Sequence, residues 1–276
     1  TLNNANKQCN KLTVNAGGTL EITSSRKLTL TGTCAINGTC NVNNGLLVQN
    51  TNGAGFNMGA GSVFVWNPST NNSANATIWT NSTENFNETS SITIKRWYST
   101  AVSLGSVVTG HFGNLTLNTG SAGWNQKNGF ATHQIKGTLT IDSDYIILDD
   151  VNSASATTVP IGNIVLQNSG LLDFFDGTRT GAITVSTSSL TITDGELDMF
   201  YLPGTGTLTF NVSGNVTVAK DGILVSANQH DGAVTFNVGG NLINNGGLIY
   251  GSLLGDGNST TAITGNFENN ISTFTG

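Results

Sequence analysis

The sequence carries little charge. Asp, Glu, Lys and Arg together make up 9% of its 276 residues, and the net charge is −6. The sequence pI is near 4.8. Ten basic residues without a basic stripe are too few to neutralise a phosphate backbone, so nucleic acid is excluded as a partner.

Long apolar runs and catalytic motifs are also missing. No stretch of 18 apolar residues occurs, so we predict no membrane insertion. There is no Gly-x-Ser-x-Gly elbow and no Walker loop. His111, His133 and His230 stand apart and belong to no metal motif. We therefore predict no catalytic residue, no metal site and no cofactor, with Ca²⁺ kept as an alternative below.

Cysteine is scarce, and the three cysteines lie near the start of the chain. The positions of Cys9 and Cys34 differ by 25, so they could be stacked neighbours, whereas Cys34 and Cys40 could close a small loop. Either disulfide would suit an exported protein and would leave one thiol over. A zinc site would need a fourth ligand that is not visible nearby.

What the sequence has is a repeat with a period close to 25. Short segments such as Gly-Asn-Leu-Thr-Leu recur from residue 113 to residue 270, and steps of 24, 25, 26, 26, 26 and 25 separate their apolar third positions. A fixed period of this size is typical of stacked supersecondary units. These apolar positions are Leu115, Leu139, Ile164, Leu190, Val216, Leu242 and Phe267.

Two further apolar columns keep the same step. One contains Ile183, Leu208 and Val234, and the other contains Leu172, Leu197, Leu224 and Ile249. Three short alternating strands per turn indicate an all-β fold, a right-handed parallel β-helix with three sides. At about 25 residues per coil, the chain predicts roughly 11 coils in a single domain, 1–276.

Within this domain the spacing of the apolar residues changes along the chain. In residues 1–60, Leu12, Leu20, Leu28 and Ile36 are spaced by eight, which predicts that the first three lie on the three sides of one coil. Residues 61–134 contain irregular coils with loop insertions, and residues 135–276 contain regular coils. Because the chain begins without Met and ends without a capping element, we expect a fragment of a longer protein.

The recurring Gly-Asn pair has a structural interpretation. Glycine would supply a positive φ at a corner, and the asparagine after it would bond the same asparagine one coil away. Asn114, Asn163, Asn215, Asn241 and Asn266 would form this ladder, which Thr138 and Ser189 interrupt.

A column of aspartates at the period of the repeat is the clearest indication of a catalytic or metal-binding site. Asp198 lies 25 positions after Asp173, and Asp149 lies 24 before it. Stacked outward carboxylates would serve a polysaccharide-cleaving enzyme as a Ca²⁺ site or as an acid–base pair. No column of Lys or Arg accompanies them, so a solvated acidic face is favoured. Asp142 and Asp144, with Asp149 and Asp150, could also bind Ca²⁺, as could the segment Asp256-Gly-Asn258, although turn composition explains both groups equally well.

The aromatic residues suggest a binding function. Trp66, Trp79, Trp97, Tyr98 and Trp124 lie in or near the irregular region. Exposed rings there would stack on sugar faces, whereas buried rings would fill the wide coils. The buried alternative is favoured.

Similar glycine- and asparagine-rich segments occur at residues 110–118, 124–126, 133–141, 212–218, 239–247 and 265–270. These segments resemble the β-solenoid regions of large surface proteins from Bacteroidetes. It implies export by the type 9 secretion system, location on the outer face of the outer membrane or release from it, and an adhesin-like role, in some members tied to gliding. It also implies a surface polysaccharide or another cell-surface or secretion-system protein as partner.

We therefore expect a structural and adhesive module of a secreted cell-surface protein, without catalysis. The alternative is a pectate-lyase-like enzyme or a carbohydrate-binding module acting on polysaccharide. A cluster of outward carboxylates with a neighbouring base would favour the enzyme, and a Thr/Asn surface would favour the adhesive module.

Overall fold

The computed structural model describes residues 6–24, 26–51, 53–68, 82–96, 111–119, 124–125, 134–149, 156–175, 180–199, 205–225, 232–250 and 258–270. These residues form 28 β-strands and no helix. The strands are β1 (Lys7–Cys9), β2 (Leu12–Val14), β3 (Thr19–Thr23), β4 (Lys27–Leu30), β5 (Cys34–Ile36), β6 (Thr39–Asn43), β7 (Leu46–Gln49), β8 (Ala54–Met58), β9 (Val63–Asn67), β10 (Ser82–Phe86), β11 (Ser91–Ile94), β12 (Asn114–Leu117), β13 (Trp124–Asn125), β14 (Ile135–Asp142), β15 (Tyr145–Asp149), β16 (Thr157–Gln167), β17 (Leu171–Phe175), β18 (Ile183–Thr187), β19 (Ser189–Ile192), β20 (Glu196–Asp198), β21 (Leu208–Val212), β22 (Val216–Val218), β23 (Ile223–Val225), β24 (Val234–Val238), β25 (Leu242–Asn244), β26 (Leu248–Tyr250), β27 (Ser259–Ile263) and β28 (Phe267–Asn269).

Every pairing between these strands is parallel and joins one coil to the next, so the fold is a parallel β-solenoid. We call its longest sheet the main column, which runs β3-β6-β9-β11-β12-β14-β16-β19-β22-β25-β28. The second column is β16-β18-β21-β24-β27, and the third column is β13-β15-β17-β20-β23-β26. In the first coils, β2-β5-β8-β10 and β1-β4-β7 form the other two sides. The right-handed winding stays a prediction from the general preference of parallel crossovers.

The predicted register of the repeat is confirmed. Leu115 pairs with Leu139, Leu139 with Ile164 and Ile164 with Leu190. Val216, Leu242 and Phe267 continue the same row. The two shorter apolar columns are in register as well. The hydrophobic period therefore determines which residues stack.

The coil length is less uniform than a single step of 25 implies. The regular step covers about seven turns, from Leu115 to Phe267, whereas roughly 11 coils were predicted for the whole chain. Before it, the main column steps from Leu20 to Cys40, then to Phe64, Ile92 and Leu115, and these steps are 20, 24, 28 and 23. Dividing the chain length by 25 therefore misjudged the individual coils, because the earlier coils differ in the length of their corners and insertions.

The spacing of eight in the first coils is confirmed as three sides of one coil. β2, β3 and β4 lie in three different sheets, and β5 returns to pair with β2, with Leu12 beside Cys34. Each strand of this coil is followed by a corner of only a few residues. A chain that turns so tightly completes its coil in fewer residues than the later coils use.

The core fills the space inside the coils. Buried and partly exposed side chains alternate along the strands, as in Ile183–Thr187 and Val234–Val238, because successive side chains point to opposite faces. Aromatic rings inside the coils contact each other edge to face or face to face. The Phe174 and Phe210 centroids are 4.8 Å apart at an interplanar angle of 71°, and Phe210 and Phe236 are 5.3 Å apart at 9°. Such ring pairs add to the free energy of folding beyond the area that they bury.

The Gly-Asn corners differ from the prediction at the glycine and agree with it at the asparagine, which bonds the asparagine one coil away. No positive φ occurs at Gly137, Gly162, Gly240 or Gly265. Instead, a Cβ at any of them would clash with backbone oxygens of the preceding coil. Glycine is needed there because the coils approach each other too closely for a side chain, and not because of an unusual backbone angle.

The asparagines of these corners bond to backbone rather than to each other's side chains. The backbone N–H of Asn241 donates to Asn215 Oδ1 at 2.9 Å, and that of Asn266 donates to Asn241 Oδ1 at 3.0 Å. Thr138 can follow Asn114 because only its backbone N–H, at 2.9 Å from Asn114 Oδ1, is required. Thr138 and Ser189 therefore reduce the stability less than they would if the asparagine side chains had to bond to each other.

Replacing Leu190 by Asp tests the inward direction of the main column. Leu190 is fully buried, so the variant would place a carboxylate in the core between two dependent coils, and we expect a loss above about 4 kcal/mol. Thr191→Asp, on the partly exposed face of the same strand, should cost about 0.5 kcal/mol. Thermal and urea unfolding would measure both, and equal midpoints for the two variants would show that Leu190 does not face the core.

Replacing Asn215 tests the corner bond. Asn215→Ala removes the acceptor for the N–H of Asn241 and should destabilise by about 1 kcal/mol. Asn215→Asp keeps an oxygen at that position and should retain most of the stability. If urea unfolding shows the Asp variant to be as destabilised as the Ala variant, the bond to Asn241 is not what stabilises the corner.

Candidate functional site

The acidic column is shorter than the sequence predicted. Asp173 and Asp198 are paired in register on β17 and β20. Asp149 does not join them, because its neighbour on β17 is Phe175 and the residue beside Asp173 is Ile147. Partners on β15 and β17 differ by 26 in position, whereas Asp149 and Asp173 differ by 24. The next two positions of the row are Val225 and Tyr250.

Neither aspartate of this pair forms a solvated face. The relative exposure of Asp173 is 0% and that of Asp198 is 1%. Leu172 and Leu197, the residues before them on the same strands, are buried too, so both faces of the third column are covered at this level. The prediction of a solvated acidic face is wrong here, because alternation gives the direction of a side chain but not what covers it.

The aspartates at the corner between the main and third columns link neighbouring coils through hydrogen bonds. Asp142 accepts from Asn118 Nδ2 at 2.7 Å through Oδ2 and from Asn168 Nδ2 at 2.6 Å through Oδ1, which ties three coils together. Asp144 is buried and accepts from both the backbone N–H and the hydroxyl of Thr119, at 2.8 and 2.6 Å. Among the described residues, no group of three or more His, Cys, Asp or Glu is placed to hold a metal ion.

The aromatic hypothesis receives no support where the structure describes it. Trp66 is fully buried and packs on Phe64, with 6.0 Å between the ring centroids. It fills the coil interior and does not present a ring to a sugar. Trp79, Trp97 and Tyr98 lie outside the described residues. Trp124 lies in the short strand β13, where only its pairing with Ile146 is described.

The three cysteines are free thiols, so neither disulfide is present. Cys9 pairs with Leu30 and Cys34 pairs with Leu12, so Cys9 and Cys34 are not stacked neighbours despite their spacing of 25. Cys34 and Cys40 lie on adjacent sides of one coil and are buried. Burial raises the pKa of the Cys40 thiol to about 12, which keeps it protonated and unreactive at neutral pH.

Of the three histidines, the structure describes one. His111 is partly buried beside Phe112, and His133 and His230 lie outside the described residues.

A concave surface on the outside of the solenoid forms a groove. We call it the corner groove. It lies where the second column bends into the main column and has a volume of about 630 Å³. The bends consist of small residues, and Ser188, Ser213, Gly239 and Thr264 are all exposed there. Because the bend recurs in each coil, the groove runs along the solenoid axis.

One wall of the corner groove is a column of short polar side chains. Ser186, Asn211 and Asn237 are in register on successive coils, with Pro160 and Ala262 at the two ends of the row. Asn237 Nδ2 donates to Asn211 Oδ1 at 2.9 Å. This bond orders two amide groups that face the groove.

A second row on the same face consists entirely of threonine. Thr158, Thr184, Thr209, Thr235 and Thr260 are in register over five coils. Sequence reasoning missed both rows. The signal was present as Thr184-Val-Ser186, Thr209-Phe-Asn211 and Thr235-Phe-Asn237, at steps of 25 and 26.

The corner groove continues at one end into a smaller cavity of about 380 Å³, which shares Pro160 and Ile161 with it. Its charged residues are Glu88 and Lys136, which form an ion pair of 2.6 Å. The hydrogen bond and the positive charge of Lys136 lower the pKa of the Glu88 carboxyl. Since the pair is exposed, it contributes little to stability.

An apolar cavity of about 250 Å³ lies at the last described coil, among Phe236, Ile249 and Phe267. Phe267 is 56% exposed there. The lining continues the core, so this cavity is the top of the solenoid interior and not a polar site.

Comparison with known proteins adds no assignment. No protein-family model, no curated protein and no solved structure matches this chain. In the part of the chain that the structure describes, no helix is long and apolar enough to cross a membrane.

A lysine at position 198 tests the burial of the acidic pair. Asp198→Lys would place an ammonium group where a carboxyl group is now buried, and we expect a loss of about 3 kcal/mol or more. Glu196→Lys is the control, because Glu196 is only partly buried on the same strand and should tolerate the change far better. If thermal unfolding shows equal and small shifts for both variants, Asp198 is in solvent.

Proposed function

We propose that this chain is a structural and adhesive module of a secreted cell-surface protein and that it does not catalyse a reaction. The observation that supports this is the outer surface of the regular coils, which repeats the same short polar side chains in register. Thr191 and Thr217 follow each other on the main column, and the five-threonine row lies on the second column. A rigid rod with a repetitive, weakly charged surface presents many equivalent contacts to a partner.

The resemblance to Bacteroidetes surface proteins extends the proposal to export and display. It supports passage through the type 9 secretion system, location on the outer face of the outer membrane, and a polysaccharide or another surface protein as partner. The complete open reading frame that contains this chain tests the route, since type 9 export predicts a C-terminal sorting domain there.

The proposal of no catalysis rests on the state of the two acids that suggested an enzyme. A glycan-cleaving pair must reach the scissile bond, and Asp173 and Asp198 are buried within the third column. Carboxyl groups buried to this degree cannot contact a polymer.

Incubation with polysaccharides tests this proposal. The purified chain, with and without Ca²⁺, is incubated with acidic and neutral polysaccharides, and new reducing ends and unsaturated products are measured. We expect none, and a commercial lyase on the same panel serves as the positive control. Cleavage that disappears in the Asp173→Asn, Asp198→Asn double variant would overturn the proposal and assign catalysis to the third column.

Surface display is tested separately on cells that produce the protein. An antibody against the regular coils should label intact cells, and external protease should abolish the labelling. Labelling that appears only after the cells are permeabilised would refute the surface location.

A further inference from the structure

We propose that the corner groove binds a linear, uncharged polysaccharide along the solenoid axis. This inference rests on the proposed adhesive function and names the ligand class and its binding surface. It differs from the aromatic hypothesis in location, because the groove lies on the regular coils and the described residues that line it include no aromatic side chain.

The shape of the groove fits an extended polymer. Five strands of the second column border it, from β16 to β27. At about 4.8 Å per coil, four steps give a length of roughly 19 Å, enough for several sugar units. The groove is open along its length, so a chain can enter from the side and extend beyond both ends. A closed pocket of the same volume would select a single small molecule instead.

The repeat of the groove fits a repeating ligand. Ser186, Asn211 and Asn237 offer a hydroxyl and two amides at equal intervals, and the threonine row lies parallel to them on the same face. Hydroxyl and amide groups both donate and accept, which matches the hydroxyl groups of sugars. The three middle coils of the groove therefore each offer a polar side chain to successive units of a regular chain.

The amides of the groove are already ordered. The bond between Asn237 Nδ2 and Asn211 Oδ1 fixes the orientation of both side chains, and each lies on a strand and not on a loop. Fixing these side chains before binding lowers the entropy lost when the ligand binds. By contrast, the Thr187 hydroxyl is engaged with the backbone oxygens of Gly162 and Ser189, so it supports the bend and does not contact the ligand.

The charge of the groove selects an uncharged chain. Among the described residues that line its main part, none is Asp, Glu, Lys, Arg or His. An acidic polysaccharide would lose hydration of its carboxylates or sulfates here without gaining a cation in return. The charged pair at the end of the groove, Glu88 and Lys136, is mutually neutralised. The apolar surfaces of Pro160 and Ala262 can contact the C–H faces of sugar rings.

A pair of matched substitutions tests the groove. Ser188→Arg places a long side chain in the groove, and Thr193→Arg places the same side chain on the other end of β19. Both positions are exposed bends, so both variants should keep the thermal midpoint of the wild type. A second groove variant, Ser213→Arg, repeats the block one coil further along.

The measurement is binding of the full chain to neutral and acidic polysaccharides by pull-down on insoluble polymers and by titration with soluble oligosaccharides. We expect binding to at least one neutral linear polymer, weakened about tenfold or more by Ser188→Arg and Ser213→Arg and unchanged by Thr193→Arg. Affinity should rise with oligosaccharide length until the groove is filled.

Two outcomes overturn the location or the chemistry of the proposed ligand. Equal binding by all three arginine variants would show that any ligand binds outside the groove. Stronger binding to acidic polymers, if it is lost at high salt, would contradict an uncharged ligand. No binding to any neutral polymer would refute the inference as a whole. None of these results affects the location of the protein on intact cells or its lack of cleavage, so the groove and the proposed function can fail independently.

Discussion

The close approach of successive coils is the constraint on which the rest of this structure depends. Parallel strands lie about 4.8 Å apart, and at the corners the chain must turn without moving its neighbour away. The Gly-Asn pair meets this constraint with two different properties. The glycine at position 240 leaves space for the oxygens of the preceding coil, and the asparagine after it supplies an acceptor to the N–H of the following coil. Strands, core and groove all follow from this fixed spacing.

Fixed spacing also explains why the outer surface is so regular. Once the corners hold the register, side chains at equal positions of consecutive coils are brought next to each other whatever their chemistry. On the second column this produces the threonine row and the amides of Asn211 and Asn237. On the third column it produces the stacked Asp173 and Asp198. The same geometry thus creates an exposed row of polar groups on one side and a buried acidic pair on another.

The sequence predicted the solenoid and its register well, because apolar residues at a period of 25 leave few alternatives. The pairing of Leu190 with Val216 could be read from the spacing alone. The spacing did not predict which outward faces of the sheets are buried under other parts of the chain. Asp198 obeys the repeat and yet is buried, although a solvated face was favoured for it. The disulfide prediction failed for a related reason. A spacing of 25 means stacking only where the local coil has that length, and the coil that ends at Cys34 is shorter.

The change of coil length along the chain has a consequence for how such a protein can evolve. The regular coils are nearly equal in length and interchangeable in outline, so duplication of one of them in the gene would extend the rod, and the corner groove with it, by a single step. The initial step, from Leu20 to Cys40, is 20 residues long and therefore shorter. Cys40 also occupies the position in the main column where most regular coils have leucine or isoleucine. A duplicate of that coil inserted among the later ones would differ in length from the coils on both sides. Duplication of a regular coil would therefore lengthen the solenoid without a change of coil length, whereas duplication of a first coil would not.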